Sequence, residues 1–343
     1  MTDQTLVQVV LPGIVEPEDL QVRTSRVPEP GAGQIVIAME ATGVSFAEQQ
    51  MRRGRYYDQP PFPFVPGYDV VGRVYAVGAG VDPGRLGRRV AVLTKVGGWA
   101  SHVLVDARDA VEVPGGLTAE QAETVVVNGI TAWQMLHRKA HVKAGQTILV
   151  HGASGGVGSV LTQLALAAGV TVIGTASARN HDALRAAGVI PVDYRAGDVP
   201  EQVRDLAPRG VDAVFDHVGG RSVIDSWHLL APGGTLVAYG SASTRDDSGW
   251  KQWPVLKIVL RTMLWTALPN GRSASFFNIW AGKKLNQNRF RARVAADLTQ
   301  VFAALRRGEI TTAVAARLPL AQAAEALRLA ESGTVSGKII LTP

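Results

Sequence analysis

The stretch TILVHGASGGVGSVLTQLALAAG, residues 147–169, constrains this chain more than any other. Thr147 to Val150 has the make-up of a short buried strand, and apolar residues at helical spacing begin at about Gly156. The glycines between them let the backbone turn sharply and approach a pyrophosphate closely, while the first helical turn offers free N–H groups and a partial positive charge. Ser154, Gly155, Gly156 and Val157 are the expected backbone ligands. Such a turn in isolation is a weak signal. Its weight comes from the segments downstream of it: VTVIGTAS, a helical stretch from Asn180 to Ala187, VIPVDYR, VDAVFDHVG and, after a further helix, GGTLVAYGS. Short apolar strands alternating with helices imply βαβ units and a doubly wound α/β domain whose parallel sheet is covered on both faces.

The end of the second of these strands selects the dinucleotide. About 20 residues past the glycines, a carboxylate would accept from the ribose of NAD. This chain has Gly174-Thr175-Ala176-Ser177-Ala178-Arg179-Asn180 there, with no Asp or Glu. A hydroxyl and a guanidinium hold an anion that a carboxylate would repel, so Ser177 and Arg179 favour the 2′-phosphate of NADPH. The competing reading has Arg179 merely opening the next helix in solvent. Tyr194, after the third strand, is placed to pack beside the same phosphate or the adenine, or to be a plain strand-end tyrosine.

Ahead of this domain the texture differs. QIVIAMEATGV, DVVGRVYAVG, GRRVAVL and ASHVLVD are short Val- and Ile-rich strands parted by Gly, Pro and Asp, as in a barrel-like β domain. Helical spacing sets in at about Thr118, which puts a boundary near Val126 and domains at 1–126 and 127–285. The closing helices and the strand GKIILTP are expected to return to the first domain, completing it with 286–343. A length of 343 residues suits two cores.

The chain has no cysteine, which removes thiolate nucleophiles, iron–sulfur clusters and cysteine-built zinc sites. Its seven histidines show no ligand spacing; His137 and His141 are four apart but run into a turn. The opening MTDQTLVQVVLPG lacks the basic start and apolar core of a leader, so a cytoplasmic location is expected. Val255 to Leu268, with Lys257 and Arg261 inside it, is too short for the roughly 20 apolar residues of a bilayer span. The formal charge of +6 is uneven: Trp250 to Ala296 holds nine Lys and Arg and no Asp or Glu. A solvated face near an anionic cofactor is the main reading and nucleic acid is not expected. Peripheral contact with anionic lipid, through Trp250, Trp253 and Trp265, is a minor alternative.

With HGASGGVG go NGITAWQMLHR, GVSFAEQQMRRGRYY, FPFVPGYDVVGRV, FDHVGG and SGKIIL, spread along the whole chain. Together they resemble the zinc-independent quinone oxidoreductase branch of the medium-chain dehydrogenases and reductases. The resemblance implies a GroES-like β-barrel catalytic domain, a Rossmann domain and an active cleft at their junction. NADPH would deliver hydride to a small electron-poor acceptor, a quinone or an α,β-unsaturated carbonyl compound. Position by position it implies Thr131 near the nicotinamide, Val218 near the adenine, Tyr239, Gly240 and Ser241 after the fifth strand, and Phe277, Asn278 and Lys338 as further cofactor contacts. By the same analogy the protein would be a homodimer.

Where zinc-dependent relatives place Cys-His and His-Glu, this chain has Ser45-Phe46 and Tyr68-Asp69, so no catalytic metal is expected. The branch itself usually has Asn and Asp where Ser45 and Glu48 stand. Ser45 can still donate one hydrogen bond, and Tyr56 matches an aromatic position lining the cleft, so these two are the catalytic candidates. Trp99, Trp250 and Trp253 are either an aromatic wall or packing. Reduction of simple aldehydes, ketones or enoyl thioesters, and a non-catalytic NADPH sensor, are the alternatives.

Overall fold

The computed structural model describes residues 5–242 and 253–343. Trp250 and Lys251 lie outside the described residues. The chain divides into two compact units, Met1–Ile130 with Gly282–Arg307 and Thr312–Pro343, and Thr131–Ala281 with Gly308–Thr311.

The first unit is built on the strand Gln34–Val44. It pairs antiparallel with Asp69–Val77, with His102–Asp106 and with the closing strand Lys338–Thr342, where Ile339 stands opposite Val44. The last strand thus returns to the first unit. With strands on both sides, Gln34–Val44 is apolar on both faces; Ile35, Val36 and Ile37 are fully buried. Arg89–Leu93, Val111–Glu112 and Val314–Pro319 extend the sheet to seven strands. Trp99 is fully buried in the same core cluster as Val9, Val70 and Leu341, its Nε1 donating to the Gly43 carbonyl at 3.0 Å. Of the two readings of that tryptophan, packing is the one observed, because a fully enclosed indole has no face left for a ligand.

The second unit holds a six-stranded sheet in which every neighbouring pair is parallel. In chain order its strands are Thr147–Val150, Thr171–Ala176, Ile190–Asp193, Val211–Asp216, Leu230–Ala238 and Ser273–Phe276. They lie 3-2-1-4-5-6 across the sheet, the Rossmann order. The connections run outward from the first strand in one direction and then from the fourth in the other. In sheets of this order the ligand-binding place is beyond the strand ends where the direction reverses, here the carboxyl ends of Val150 and Asp216. The sixth strand is tied to the helix Trp253–Thr266 through Thr266, whose Oγ1 takes the Ala274 N–H at 2.9 Å and donates to the Ala274 carbonyl at 2.8 Å. Among the described residues no helix is long and apolar enough to cross a membrane.

Candidate functional site

The glycine-rich turn begins where the first parallel strand ends. His151 N–H donates to the Phe215 carbonyl at 3.0 Å, and Gly152 turns the chain at φ +65°. That turn is held from the second strand: Thr175 Oγ1 accepts the Gly152 N–H at 3.1 Å and the Thr175 carbonyl accepts Ala153 N–H at 3.0 Å. The helix Gly156–Ala167 comes next, with Gly155 as its N-cap and no side chain capping it. A Cβ on Gly158 would run into the Gly152 carbonyl oxygen, so the turn and helix pack at a distance only glycine permits. An uncapped helix N-terminus behind a glycine turn, at the switch point of a parallel sheet, fits a pyrophosphate.

Several other candidates follow the ends of the parallel strands. Asn180 donates to Ser154 Oγ at 3.0 Å and to Ser177 Oγ at 3.4 Å, tying the turn to the end of the second strand. Arg179 beside it is exposed. Tyr194 is exposed beyond the third strand, with the Arg195 guanidinium 5.4 Å from its ring centre. Val218 N–H donates to Asp216 Oδ1 at 2.8 Å, and Tyr239 N–H to the Asp216 carbonyl at 2.8 Å, with Gly240 and Ser241 next. Phe277 is buried just past the sixth strand, and Asn278 accepts the Trp280 N–H at 2.9 Å. Thr131 is buried on the helix Val126–Trp133.

The sequence reading missed the group that organises this edge. Asp216, fully buried, accepts from Val218 and Gly219 N–H, from Ser222 Oγ at 2.7 Å and from Ser226 Oγ at 2.8 Å. Ser226 Oγ also lies 3.1 Å from His151 Nε2. An Asp at a strand end followed by a Gly pair is the signal in the sequence, since such a carboxylate bonds the backbone two residues on.

In the first unit, Ser45 is the N-cap of the helix Phe46–Arg52 and forms a capping box with Glu48. Its N–H donates to Glu48 Oε2 at 2.8 Å and its hydroxyl is bonded to the same oxygen. Glu48 Oε1 accepts the Tyr68 N–H at 2.7 Å. Burial pushes Glu48 above the usual carboxylate range, against the opposing pull of the Ser45 hydrogen bond. The spacing Ser-x-x-Glu is legible as a capping box. The two residues that depart from the branch's usual Asn and Asp thus close a helix end together here.

Tyr56 is buried, its hydroxyl 2.8 Å from that of Tyr68. Burial and the neighbouring tyrosines raise its pKa far above the ordinary value, and burial brings Tyr57 up to about 12. Tyr56 is therefore a phenol, a hydrogen-bond donor and no base. Lys338 is turned inward, with Nζ 2.6 Å from Glu123 Oε1 and 3.0 Å from Asp69 Oδ2. All three side chains are buried. Burial alone would lower the ammonium pKa, but the two carboxylates hold it above its usual value. Glu123 is itself pushed well up by burial.

At the positions where zinc-dependent relatives have ligands, Ser45 caps a helix and Tyr68 bonds Tyr56, a donor set that does not suit zinc. Among the described residues no group of three or more His, Cys, Asp or Glu could hold a metal ion.

Two family models match the chain: an alcohol dehydrogenase GroES-like domain over residues 31–115 and a zinc-binding dehydrogenase domain over 184–341. The rat synaptic vesicle membrane protein VAT-1 homolog is 33% identical over 336 residues, covering 94% of this chain and 80% of the relative. A Mycobacterium tuberculosis mycocerosic acid synthase-like polyketide synthase is 36% identical over 92% of this chain, which corresponds to 14% of that protein. Among solved structures, a mycobacterial quinone oxidoreductase superposes with a TM-score of 0.81 at 30% identity, covering 98% of this chain and all of the other. A mycobacterial protein solved in complex with NADPH superposes with a TM-score of 0.81 at 29% identity, over 98% of this chain and 100% of that one.

Proposed function

The chain belongs to the medium-chain dehydrogenase/reductase superfamily, in its quinone oxidoreductase branch, and from that premise we propose that it is a zinc-independent oxidoreductase that uses NADPH to reduce a quinone or an α,β-unsaturated carbonyl compound. The observation that carries the reading is the edge of the parallel sheet: an uncapped glycine-rich helix start, with Ser177 and Arg179 where NAD-specific sheets carry an acid. The NADPH complex of the mycobacterial neighbour supports it.

When bound, the dinucleotide supplies hydride to the electron-poor carbon of the acceptor. The backbone N–H groups of Ser154 to Val157, at the glycine turn and helix start, would hold the pyrophosphate, and Arg179 with Ser177 would hold the 2′-phosphate. Thr131 would lie beside the nicotinamide. Negative charge then develops on the acceptor oxygen and is stabilised by hydrogen-bond donation. Tyr56 keeps its proton throughout the neutral range, so it can donate to that oxygen without ionising. The Ser45 hydroxyl does so only when its hydrogen is not committed to Glu48, as when Glu48 is itself protonated. No dedicated acid is needed, since water can protonate the enolate carbon.

The likeness to a segment of a polyketide synthase favours, as the second reading, an enone carried on a thioester. We also propose a homodimer, in which a second copy covers exposed Leu260, Met263 and Leu264 of the Trp253–Thr266 helix. The deciding experiment for the cofactor is binding of NADPH and NADH followed by nicotinamide fluorescence. Preference for NADPH that disappears in Arg179→Ala is the expected outcome, and equal affinity of the intact protein for both cofactors would refute it.

A further inference from the structure

Glu48 is a buried acid that no Lys or Arg pairs with among the described residues. It is 2% exposed. Asp69 and Glu123, by contrast, share the Lys338 ammonium. Three groups bond the Glu48 carboxyl: the N–H and hydroxyl of Ser45 at Oε2, and the Tyr68 N–H at Oε1. Around it stand Tyr68, whose hydroxyl meets that of Tyr56, and Asp69, paired with Lys338. Arg52, one turn along the same helix, is engaged by Glu331 and Glu16. Burial raises the Glu48 carboxyl above its ordinary range; the Ser45 hydrogen bond opposes this and the Asp69 charge adds to it.

The state of that carboxyl decides what Ser45 can do. With Glu48 ionised, the Ser45 hydroxyl donates to Oε2 and has no hydrogen left to give. With Glu48 protonated, Oε2–H can donate to Ser45 Oγ, which also accepts the Ala47 N–H at 3.1 Å. Both lone pairs of Oγ are then used, and its own hydrogen is free for another acceptor. Of the three groups bonded to the carboxyl, two are backbone N–H and cannot pass a proton on; the hydroxyl can. An Asn amide in place of Ser45 would donate without passing a proton on. Ser45 is half-buried where Glu48 is enclosed.

We propose that Glu48 and Ser45 form a proton relay to the acceptor oxygen, Ser45 giving up its hydroxyl proton and taking the carboxyl proton of Glu48 in the same step. The proposal rests on the reductase reading and names the proton's route within it. As hydride reaches the electron-poor carbon, the Ser45 O–H bond breaks and one forms on the acceptor oxygen. The Glu48 O–H bond breaks in turn and a new one forms on Ser45. The sum is one hydride from NADPH and one proton, which Glu48 regains from solvent through Ser45 once product leaves. Ser45 is the catalytic residue and Glu48 acts through it. A quinone is carried to the hydroquinone oxygen acid directly; an enol formed in this way takes its carbon proton from water.

The test compares the intact protein with Ser45→Ala, Glu48→Gln and Glu48→Asp. It follows kcat against pH with NADPH and a panel of quinones and enones, NADPH binding, and infrared spectra of the ligand-free carboxyl region. In the intact protein kcat should fall as pH rises through the folded pKa of Glu48, above the usual 4.5. Ser45→Ala and Glu48→Gln should each lose about 10²-fold in kcat and the falling limb with it, at unchanged NADPH Kd. Glu48→Asp, an acid on a shorter arm, should recover part of both. The spectra, which need no turnover, should show above pH 4.5 a protonated-carboxyl band that Glu48→Gln removes and Ser45→Ala shifts. Turnover of the intact protein that does not fall with pH overturns the relay alone. So does a falling limb that survives in Ser45→Ala and Glu48→Gln, as it would if the pair only capped a helix, or a Glu48 carboxyl ionised throughout. Absence of NADPH oxidation with every acceptor overturns the reductase reading and the relay together.

Discussion

At the scale of single residues, Arg179, Tyr56 and Glu48 each make a separate claim. Arg179→Ala should weaken NADPH by about 1.5–3 kcal/mol, the worth of hydrogen bonds to a charged group, and leave NADH nearly unchanged; parallel titrations decide, and equal losses would show that it does not read the phosphate. Tyr56→Phe removes a donor from a buried phenol pair. Turnover should fall by well under the roughly 10²- to 10⁴-fold typical of losing a true acid, and abolished turnover with intact NADPH binding would contradict this. Glu48 gives a pH signature. Its folded pKa is raised by burial above the unfolded value, so its contribution to stability is full at low pH and is lost as pH rises through the folded pKa. The Tm of Glu48→Gln relative to the intact protein should therefore climb as pH rises from the ordinary carboxylate value of 4.5 into the neutral range; a flat or falling difference would mean the acid is held ionised. Residue identity showed which side chains can act, but not that Ser45 spends its hydroxyl on Glu48 or that Lys338 points inward. Those depend on which groups the folded backbone brings within reach.

Elements were more legible than their contacts. The glycine turn, the strand ahead of it and the helix behind it come from local pattern, because strand and helix periods differ and only glycine permits the packing at Gly158. Gly158→Ala is predicted to cost about 1–3 kcal/mol through overpacking against the Gly152 carbonyl and to weaken NADPH as the turn opens; urea unfolding and one titration check both halves. The closing strand carries a stronger dependence. Lys338→Met would strand Asp69 and Glu123 as buried carboxylates, at a cost of about 3–5 kcal/mol. A loss below about 1 kcal/mol would mean that protonation of the carboxylates relieves it. Nothing in SGKIIL announces this triad, because its members come from three distant parts of the sequence: Asp69 and Lys338 from strands that flank Gln34–Val44, and Glu123 from the helix Ala119–Thr124.

At the scale of the whole molecule, the doubly wound parallel sheet was legible in a repeating βα texture, whereas its strand order and the path of the last strand back to Gln34–Val44 are parts that no local pattern dictates. The proposed dimer predicts a light-scattering mass twice that of the chain, and Leu260→Glu with Met263→Glu should shift it toward monomer; an intact protein that is monomeric at micromolar concentration would end that proposal. The acceptor is the least legible property, since it depends on the shape of loops rather than on any motif. The central claim is NADPH-dependent reduction, and it is met most directly by steady-state oxidation of NADPH and NADH, side by side, with a panel of quinones, enones and alkenals. The account predicts turnover with NADPH on at least one of these acceptors and far less with NADH. Tight NADPH binding with no turnover on any of them, or turnover that prefers NADH, would contradict it.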